Sequence, residues 1–306
     1  METYQFNYQA MGCPCELRLA AANSSLANEV ALICTSETQR FEKKYSRYLT
    51  DSVTSQINNA AGLHPVTIDP EVAAILDYSG VCYVQSEGLF DITSGVLRRL
   101  WHKNMTQLPT DSDLRFCLDK VGWQKIEISA NEVFLPIKGM QLDFGGVVKE
   151  YVADALAAKA RSMGIEHGLI NLGGDICIIG PQPDGTPWSI GITHPTEGNS
   201  AIAIIELSEG AVTTSGGYER YFDIDGLRYS HLINPETGWP VEGLLSASVA
   251  APTSIVAGSL TSIALLKAPD DGLRFLEECA IPYFAVDQQL GCHGNLGEVC
   301  HARAHH

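Results

Sequence analysis

A single histidine stands at the centre of the chemistry this sequence offers. Tyr229-Ser230-His231-Leu232-Ile233-Asn234-Pro235-Glu236-Thr237-Gly238 sets His231 between a strand-like apolar run and an Asn-Pro turn. With an ordinary pKa of about 6.5, an imidazole there can take a proton from an attacking hydroxyl at neutral pH. Upstream, Thr213-Thr214-Ser215-Gly216-Gly217-Tyr218-Glu219-Arg220 carries hydroxyls and flexible glycine amides. Such groups hold a phosphate without a cluster of lysines. Thr214, Ser215 and Gly216 therefore read as a phosphate-holding loop beside His231 and Leu232. Each element alone also has a structural reading: a histidine that satisfies its turn, and a polar run that is only a loop.

These residues need a scaffold, and the chain predicts one of short strands, hairpins and helices. Glu16-Leu17-Arg18-Leu19-Ala20 alternates and pairs with the 4–8 segment as an early hairpin. Leu26, Val30, Leu32, Ile33 and Phe41 recur at helical spacing over 23–45, with Ser24 or Ser25 as the cap. Val72, Ile75, Leu76, Val81 and Val84 give a second helix over 70–86 that Gly88 ends, so the Phe90-Asp91 segment falls just after a helix stop. A short helix over 109–121 and a hairpin of 125–128 with 133–135 follow. The 142–144 strand, the Gly145-Gly146 turn and a helix to about residue 163 place backbone amides at a helix start, a natural anion site. Strands over 168–171, 188–192, 201–207 and 246–250 and a helix over 257–266 complete the pattern. Helices mixed with several hairpins predict an α+β fold with largely antiparallel sheets, not a doubly wound sheet. Gly145-Gly146 also lacks the third glycine and the downstream acid of a dinucleotide fingerprint.

Composition narrows the partners. The formal charge is 20 − 36 = −16, which disfavours nucleic acid because no basic face is available to release phosphate counterions. An acidic chain still binds an anionic dinucleotide where the site itself supplies amides and a few cations. No apolar run reaches the roughly 18 to 20 residues that span a bilayer. The first ten residues lack the basic and apolar regions of a signal peptide, which points to the cytoplasm. Of nine cysteines, Cys34, Cys82, Cys117, Cys177 and Cys279 sit in apolar or helix-like surroundings and read as core. Cys292-His293 and Cys300-His301 are too widely separated for a common zinc pair, and 291–306 reads as a mobile Cys/His tail.

Further motifs make the pattern specific. They are Phe90-Asp91-Ile92-Thr93-Ser94-Gly95, the run from Leu142-Asp143-Phe144-Gly145-Gly146 through Lys149-Glu150-Tyr151 to Asp154, and Asn171-Leu172-Gly173-Gly174-Asp175. Together with the two segments above, and with Met11-Gly12, Ser46-Arg47-Tyr48, Ser52 and Asn58 near the start, their order and spacing resemble the ApbE family, the FAD:protein FMN transferases. The resemblance runs from about Met11 to Leu266. It implies an ApbE-like flavin-binding domain over 1–290, as a single unit or two intertwined lobes. It also implies a reaction that splits FAD at its pyrophosphate and moves FMN onto a threonine or serine of a partner protein.

Residue roles follow from the same resemblance. His231 matches the family histidine and is the expected base, while Asn234 stands where an aspartate is usual and removes a charge beside it. Tyr48 matches the aromatic residue that packs on the isoalloxazine, and Met11 an apolar contact to the same cofactor. Leu89, Phe90 and Asp91 match the segment lining adenine and ribose, and Asp143 and Lys149 match further FAD contacts. For magnesium, the family's Ala-Asp-Ala-Leu-x-Thr corresponds to Ala257-Gly258-Ser259-Leu260-Thr261-Ser262. The acid is thus replaced by Gly258, leaving the Gly146 carbonyl, Thr261 and Ser262 as neutral donors, and magnesium binding is expected to be weak. Glu150 also departs from the family, standing where a glycine is usual.

Those departures keep a second reading open, a homologue that has lost transfer and uses intact FAD for redox chemistry, sensing or carriage. A ligand-free protein-interaction domain is the third, and the density of polar and glycine motifs speaks against it.

Overall fold

Two strands of alternating burial begin the fold, β1 (Glu2–Ala10) and β2 (Cys13–Ala21), paired antiparallel from Glu2↔Ala21 to Ala10↔Cys13. Met11 and Gly12 join them with φ of 54° and 72°. Two left-handed residues in succession make a hairpin turn whose twist matches that of its strands. The computed structural model describes residues 1–102, 105, 107–197, 200–217, 221–224 and 226–299.

Next come α1 (Ser24–Tyr45), α2 (Val53–Ala60), β3 (Val66–Thr67), α3 (Pro70–Gln85), a 3-10 turn (Gly95–Arg99), α4 (Asp111–Leu118), β4 (Glu127–Ile128) and β5 (Glu132–Phe134). The second half holds α5 (Val148–Ser162), β6 (His167–Leu172), β7 (Asp175–Gly180), β8 (Trp188–Thr193), β9 (Ala201–Leu207), β10 (Ala211–Gly216), β11 (Tyr221–Ile224) and β12 (Leu227–Ser230). After them follow β13 (Ser246–Ala251), α6 (Ser254–Leu266), α7 (Pro269–Glu278), β14 (Tyr283–Val286), β15 (Cys292–Gly294) and β16 (Glu298–Val299).

Eight strands form the central sheet in the order β1-β2-β6-β7-β10-β13-β14-β15, every neighbouring pair antiparallel. Alternation along these strands divides the interior in two. Ile170, Cys177 and Ala211 join the core shared with α1, α3 and α5, whereas Leu169, Ile178 and Val212 pack on the β8–β9 pair. The α+β class expected from the sequence is the class observed.

Topology then gathers one end of the sheet. Gly173, in the β6–β7 turn, donates its N–H to the Pro14 carbonyl at 2.9 Å, beside the Met11-Gly12 turn. Val212 pairs with Ile176, so the rest of β10, Thr213 to Gly216, runs out past Asp175 at the same end. α5 begins there too, since Lys149 reaches Asp175.

Several local expectations are corrected. Asn23 caps α1, its Oδ1 accepting from the Leu26 N–H at 3.0 Å, in place of Ser24 or Ser25. The 142–144 segment is no strand; Asn58 grips it instead, donating to the Leu142 carbonyl at 3.0 Å and accepting from its N–H at 2.7 Å. Thr214, Ser215 and Gly216 are not a loop, because they pair with Ser248, Ala247 and Ser246 in the sheet. Nor is the described part of 291–306 a mobile tail. Cys292–Gly294 lies along β14 and Glu298–Val299 along β9, because their exposed peptide groups complete two sheet edges. Cys300 and the residues after it lie outside the described residues, as do Tyr218, Glu219 and Arg220. Cys34, Cys82, Cys117 and Cys177 are buried thiols as expected, and Cys279 is half-buried. Among the described residues no helix is long and apolar enough to cross a membrane.

Candidate active site

Two arginines assemble the first half of the site. Arg47 sends Nη1 to Asp143 Oδ2 at 2.8 Å and Nη2 to the Gly95 carbonyl and Gln141 Oε1 at 3.0 and 3.2 Å. From the 3-10 turn, Arg98 sets Nε 3.8 Å from the same carboxylate oxygen and donates through Nη1 to the His231 carbonyl at 2.6 Å. Asp143 is thereby bridged by two guanidiniums, one beside Tyr48 and the other holding the His231 backbone. The Tyr48 ring is 86% exposed and has the Arg47 guanidinium 5.9 Å from its centroid, so an aromatic face stands open for stacking.

Burial alone would raise the Asp143 carboxyl, but Arg47 and Arg98 outweigh it and hold it below the usual carboxylate range. A lowered folded pKa gives stability that is present above the unfolded value and lost as pH falls through the folded one. Asp143→Asn is therefore expected to cost about 2 kcal/mol at neutral pH and to flatten the acid limb of the stability curve. Urea titrations of parent and variant at pH 7 and at pH 3 check both effects.

His231 follows β12 and precedes a turn that the sequence builds from Asn234. Its Oδ1 accepts the Glu236 and Thr237 amides at 2.8 and 3.2 Å, the Gly238 N–H returns to its carbonyl, and Trp101 Nε1 donates to the Gly238 carbonyl at 2.7 Å. Asparagine thus performs the turn-making work that an aspartate would do at this position. The aromatic cluster around Trp101, with Phe222, Tyr229 and Trp239, braces the hairpin that carries the histidine.

Asp91 is placed inside the protein, at 7% exposure. Oδ1 accepts from the Thr93 N–H and hydroxyl at 2.8 and 2.6 Å, and Oδ2 from the Trp123 N–H at 2.9 Å. Burial pushes its carboxyl up, with the Thr93 and Trp123 bonds opposing. Neighbouring Phe90 is also buried, its ring 3.2 Å from where a Cβ at Gly146 would stand, while Leu89 stays half-buried. Met11 is half-buried at its turn and fixed by Glu42, which accepts its N–H at 2.8 Å.

The second half lies where α5 and α6 meet the sheet end. Lys149 Nζ stands 2.7 Å from Asp175 Oδ2 and forms an ion pair with it. Burial disfavours the ammonium, but Asp175 and then Glu150 overcome this and raise its pKa. Glu150, in the first turn of α5, is 7% exposed, and burial followed by the charge of Asp175 raises its carboxyl. Thr214 and Ser215 point to opposite faces of β10. The Thr214 hydroxyl meets that of Ser248 at 2.8 Å, whereas Ser215 meets Thr261 at 2.9 Å. Thr261 Oγ1 in turn donates to the Gly258 carbonyl at 2.9 Å, and Ser262 is half-buried on the next position of α6.

The ApbE family profile matches residues 11–284. The chain belongs to the ApbE family. A relative named FAD:protein FMN transferase from Klebsiella pneumoniae is 29% identical over 90% of this chain and 84% of its own length. Another of that name, from Salmonella typhimurium, is 32% identical over 69% of this chain and 63% of its own. The crystal structure of the ApbE protein from Thermotoga maritima superposes with a TM-score of 0.89 at 26% identity, over 96% of this chain and 97% of that one. A mutant of the flavin transferase ApbE from Vibrio cholerae gives 0.85 at 25% identity, over 97% and 98%.

Within this ApbE chain, Tyr48, Asp143 and His231 are joined through Arg47 and Arg98, and Lys149, Ser215 and Thr261 gather around α5 and α6. Arg98 had no role in the sequence reading. Its only signal there is an arginine a few residues after the Phe90-Asp91 motif, where a turn can aim it back at Asp143. For a cation, no three His, Cys, Asp or Glu side chains converge among the described residues. The space at Gly258 is nevertheless not without an acid, since a Cβ there would stand 2.4 Å from Glu150 Cγ. Buried carboxylate and hydroxyl oxygens are the donors a hard cation favours, so the residues present fit magnesium.

Proposed function

We propose that this chain is an FAD:protein FMN transferase that moves FMN from FAD onto a threonine or serine hydroxyl of a partner protein. The observation that carries the reading is the Arg47–Asp143–Arg98 bridge, which ties the exposed Tyr48 ring to the His231 backbone in a chain of the ApbE family. Tyr48 and Met11 bind the flavin ring, Leu89 and Phe90 the adenosine side, and Lys149 with Thr214, Ser215, Gly216 and Leu232 the phosphate region. Asp91 acts on the same pocket by fixing the loop that carries Phe90, and Asp143 by fixing the arginines. Residues 1–299 work as one unit, with site residues drawn from most of that length.

His231 takes the proton of the acceptor hydroxyl as its oxygen attacks the FMN phosphorus. The new P–O bond joins FMN to the acceptor, the bond from that phosphorus to the bridging oxygen breaks, and AMP leaves. Arg98 keeps the base in register by holding its carbonyl, independent of the ring's protonation. The Gly146 carbonyl, Thr261 and Ser262 would be among the donors to magnesium, which when bound would supply positive charge to the pyrophosphate. The cytoplasm is the proposed compartment, which the reduced thiols of Cys34, Cys82, Cys117 and Cys177 support.

The test incubates purified protein with FAD, magnesium and a threonine-bearing acceptor protein of a relative. AMP release matched one for one by covalent flavin on the acceptor is the expected result. Recovery of intact FAD from a flavin-loaded protein, with no AMP and no labelled acceptor, would replace the transferase with an intact-FAD binder.

A further inference from the structure

Glu150 and Asp175 are buried, at 7% and 2% exposure, where the first turn of α5 meets the start of β7. Among the described residues the two acids make one ion pair, Lys149 with Asp175. Two carboxylates therefore face a single ammonium in a place where water does not reach them. Asp175 Oδ2 has the Lys149 ammonium 2.7 Å away, whereas Glu150 Oε2 and the Thr213 hydroxyl are left without hydrogen-bond partners. Thr213 shares the helix-facing side of β10 with Ala211, whose partner Cys177 lies two residues from Asp175. Buried polar atoms are normally satisfied, and two unpartnered oxygens beside an ion-paired carboxylate ask for a further partner. Oxygen donors without nitrogen or sulfur select a hard divalent cation.

Gly258 explains how Glu150 comes to be there. A Cβ at 258 would stand 2.4 Å from Glu150 Cγ, 3.0 Å from Cδ and 3.1 Å from Oε1, so a side chain there would require Glu150 to shift. Conversely, an aspartate at 258 would send its carboxylate into the volume that the Glu150 side chain fills. Positions 150 and 258 are thus alternative points of attachment for one carboxylate. The hydroxyls of Thr261 and Ser215 border this volume, Thr261 through its bond to the Gly258 carbonyl.

We propose that Glu150, with Asp175 beside it, is the acid side of a divalent-cation site, and that glycine at 258 is the relief that admits it. The purpose of the cation rests on the transferase reading, but the site itself does not. The carboxylate has moved from α6 to α5, so the weak magnesium binding expected from Gly258 alone is replaced by binding through Glu150.

The experiment uses the full metal-stripped chain, with and without FAD, and Mn2+ as the probe, read by calorimetry and electron paramagnetic resonance. Glu150→Gln is expected to lower Mn2+ affinity about tenfold or more while the metal-free melting temperature holds. Gly258→Asp alone lowers the melting temperature through its collision with Glu150. The double variant Glu150→Gly/Gly258→Asp restores both the melting temperature and Mn2+ affinity close to the parent. Parental Mn2+ affinity in Glu150→Gln overturns the proposal, as does a parent that holds no Mn2+ in either state. A double variant no better than Gly258→Asp overturns it equally. Restored Mn2+ binding without any AMP release would leave the cation site standing and remove the transferase.

Discussion

Flavin transfer by the His231→Ala protein is expected to fall about a hundred- to ten-thousand-fold, the range spanned by loss of a general base, with the melting temperature unchanged. The reason for the second half is geometric. What Arg98 uses at this position is the backbone carbonyl, at 2.6 Å, and what closes the turn is Asn234. Removing the imidazole leaves both in place, so the loss appears in the chemical step and not in the fold. His231→Gln separates a base from a simple hydrogen-bonding group, because glutamine retains polarity without accepting a proton at neutral pH. Single-turnover rates at saturating FAD and acceptor, beside FAD affinity by fluorescence quenching, make the measurement. Near-parental transfer in either variant would return His231 to the status of a turn residue.

Asp91→Ala has the largest expected effect on stability. Its two carboxylate oxygens serve the amide and hydroxyl of Thr93 and the amide of Trp123, all buried or nearly so. The Thr93 hydroxyl oxygen meanwhile accepts the Gly122 N–H at 2.7 Å, so one carboxylate pins the 90–95 loop to the 122–123 turn. Truncation leaves several buried donors unpaired and is expected to cost about 3 to 5 kcal/mol. Urea unfolding reads this as a lower midpoint with an unchanged slope. The variant also decides between two roles for the residue. Retained stability with lost FAD affinity would make Asp91 a direct ligand contact, whereas lost stability with FAD affinity recovered at low temperature makes it a support for Phe90.

The fold was legible where periodicity is strong and the partner is close in sequence. Strict alternation in 16–20 with a two-residue turn before it yields the β1–β2 hairpin, and the 3.6-residue spacing of Leu26, Val30 and Phe41 yields α1. Helix α2 escaped because Val53–Ala60 is short and carries Ile57 as its one large buried side chain. β10 was misread because Thr-Thr-Ser-Gly has loop-like composition, and only burial between β7 and β13 makes it a strand. β15 and β16 contain too few apolar residues to announce themselves and depend on edges formed far earlier in the chain. In the site, motif order pointed to Tyr48, Asp143, Lys149 and His231 as candidates. It could not identify Arg98 as the connector of Asp143 and His231, nor see that Asp91 is consumed internally, since both are matters of direction in space. The relation between Glu150 and Gly258 was hidden for the same reason. Each residue looked like an isolated defect until helix packing brought the two within contact.

The overlap between a Cβ at 258 and the Glu150 side chain has a corollary for inheritance. The exchange cannot be made in either order at equal risk. Gaining the glutamate first forces two acidic side chains into one volume, while losing the aspartate first leaves the cation under-coordinated but the packing intact. The second order is the one that leaves the packing undisturbed. Homologues should then fall into three groups, acid at 258, acid at 150, and a scarce group with acid at neither. Acid at both is expected to be rare because one of the two side chains must shift, and a screen that demands the acid at 258 would pass over chains that carry it at 150.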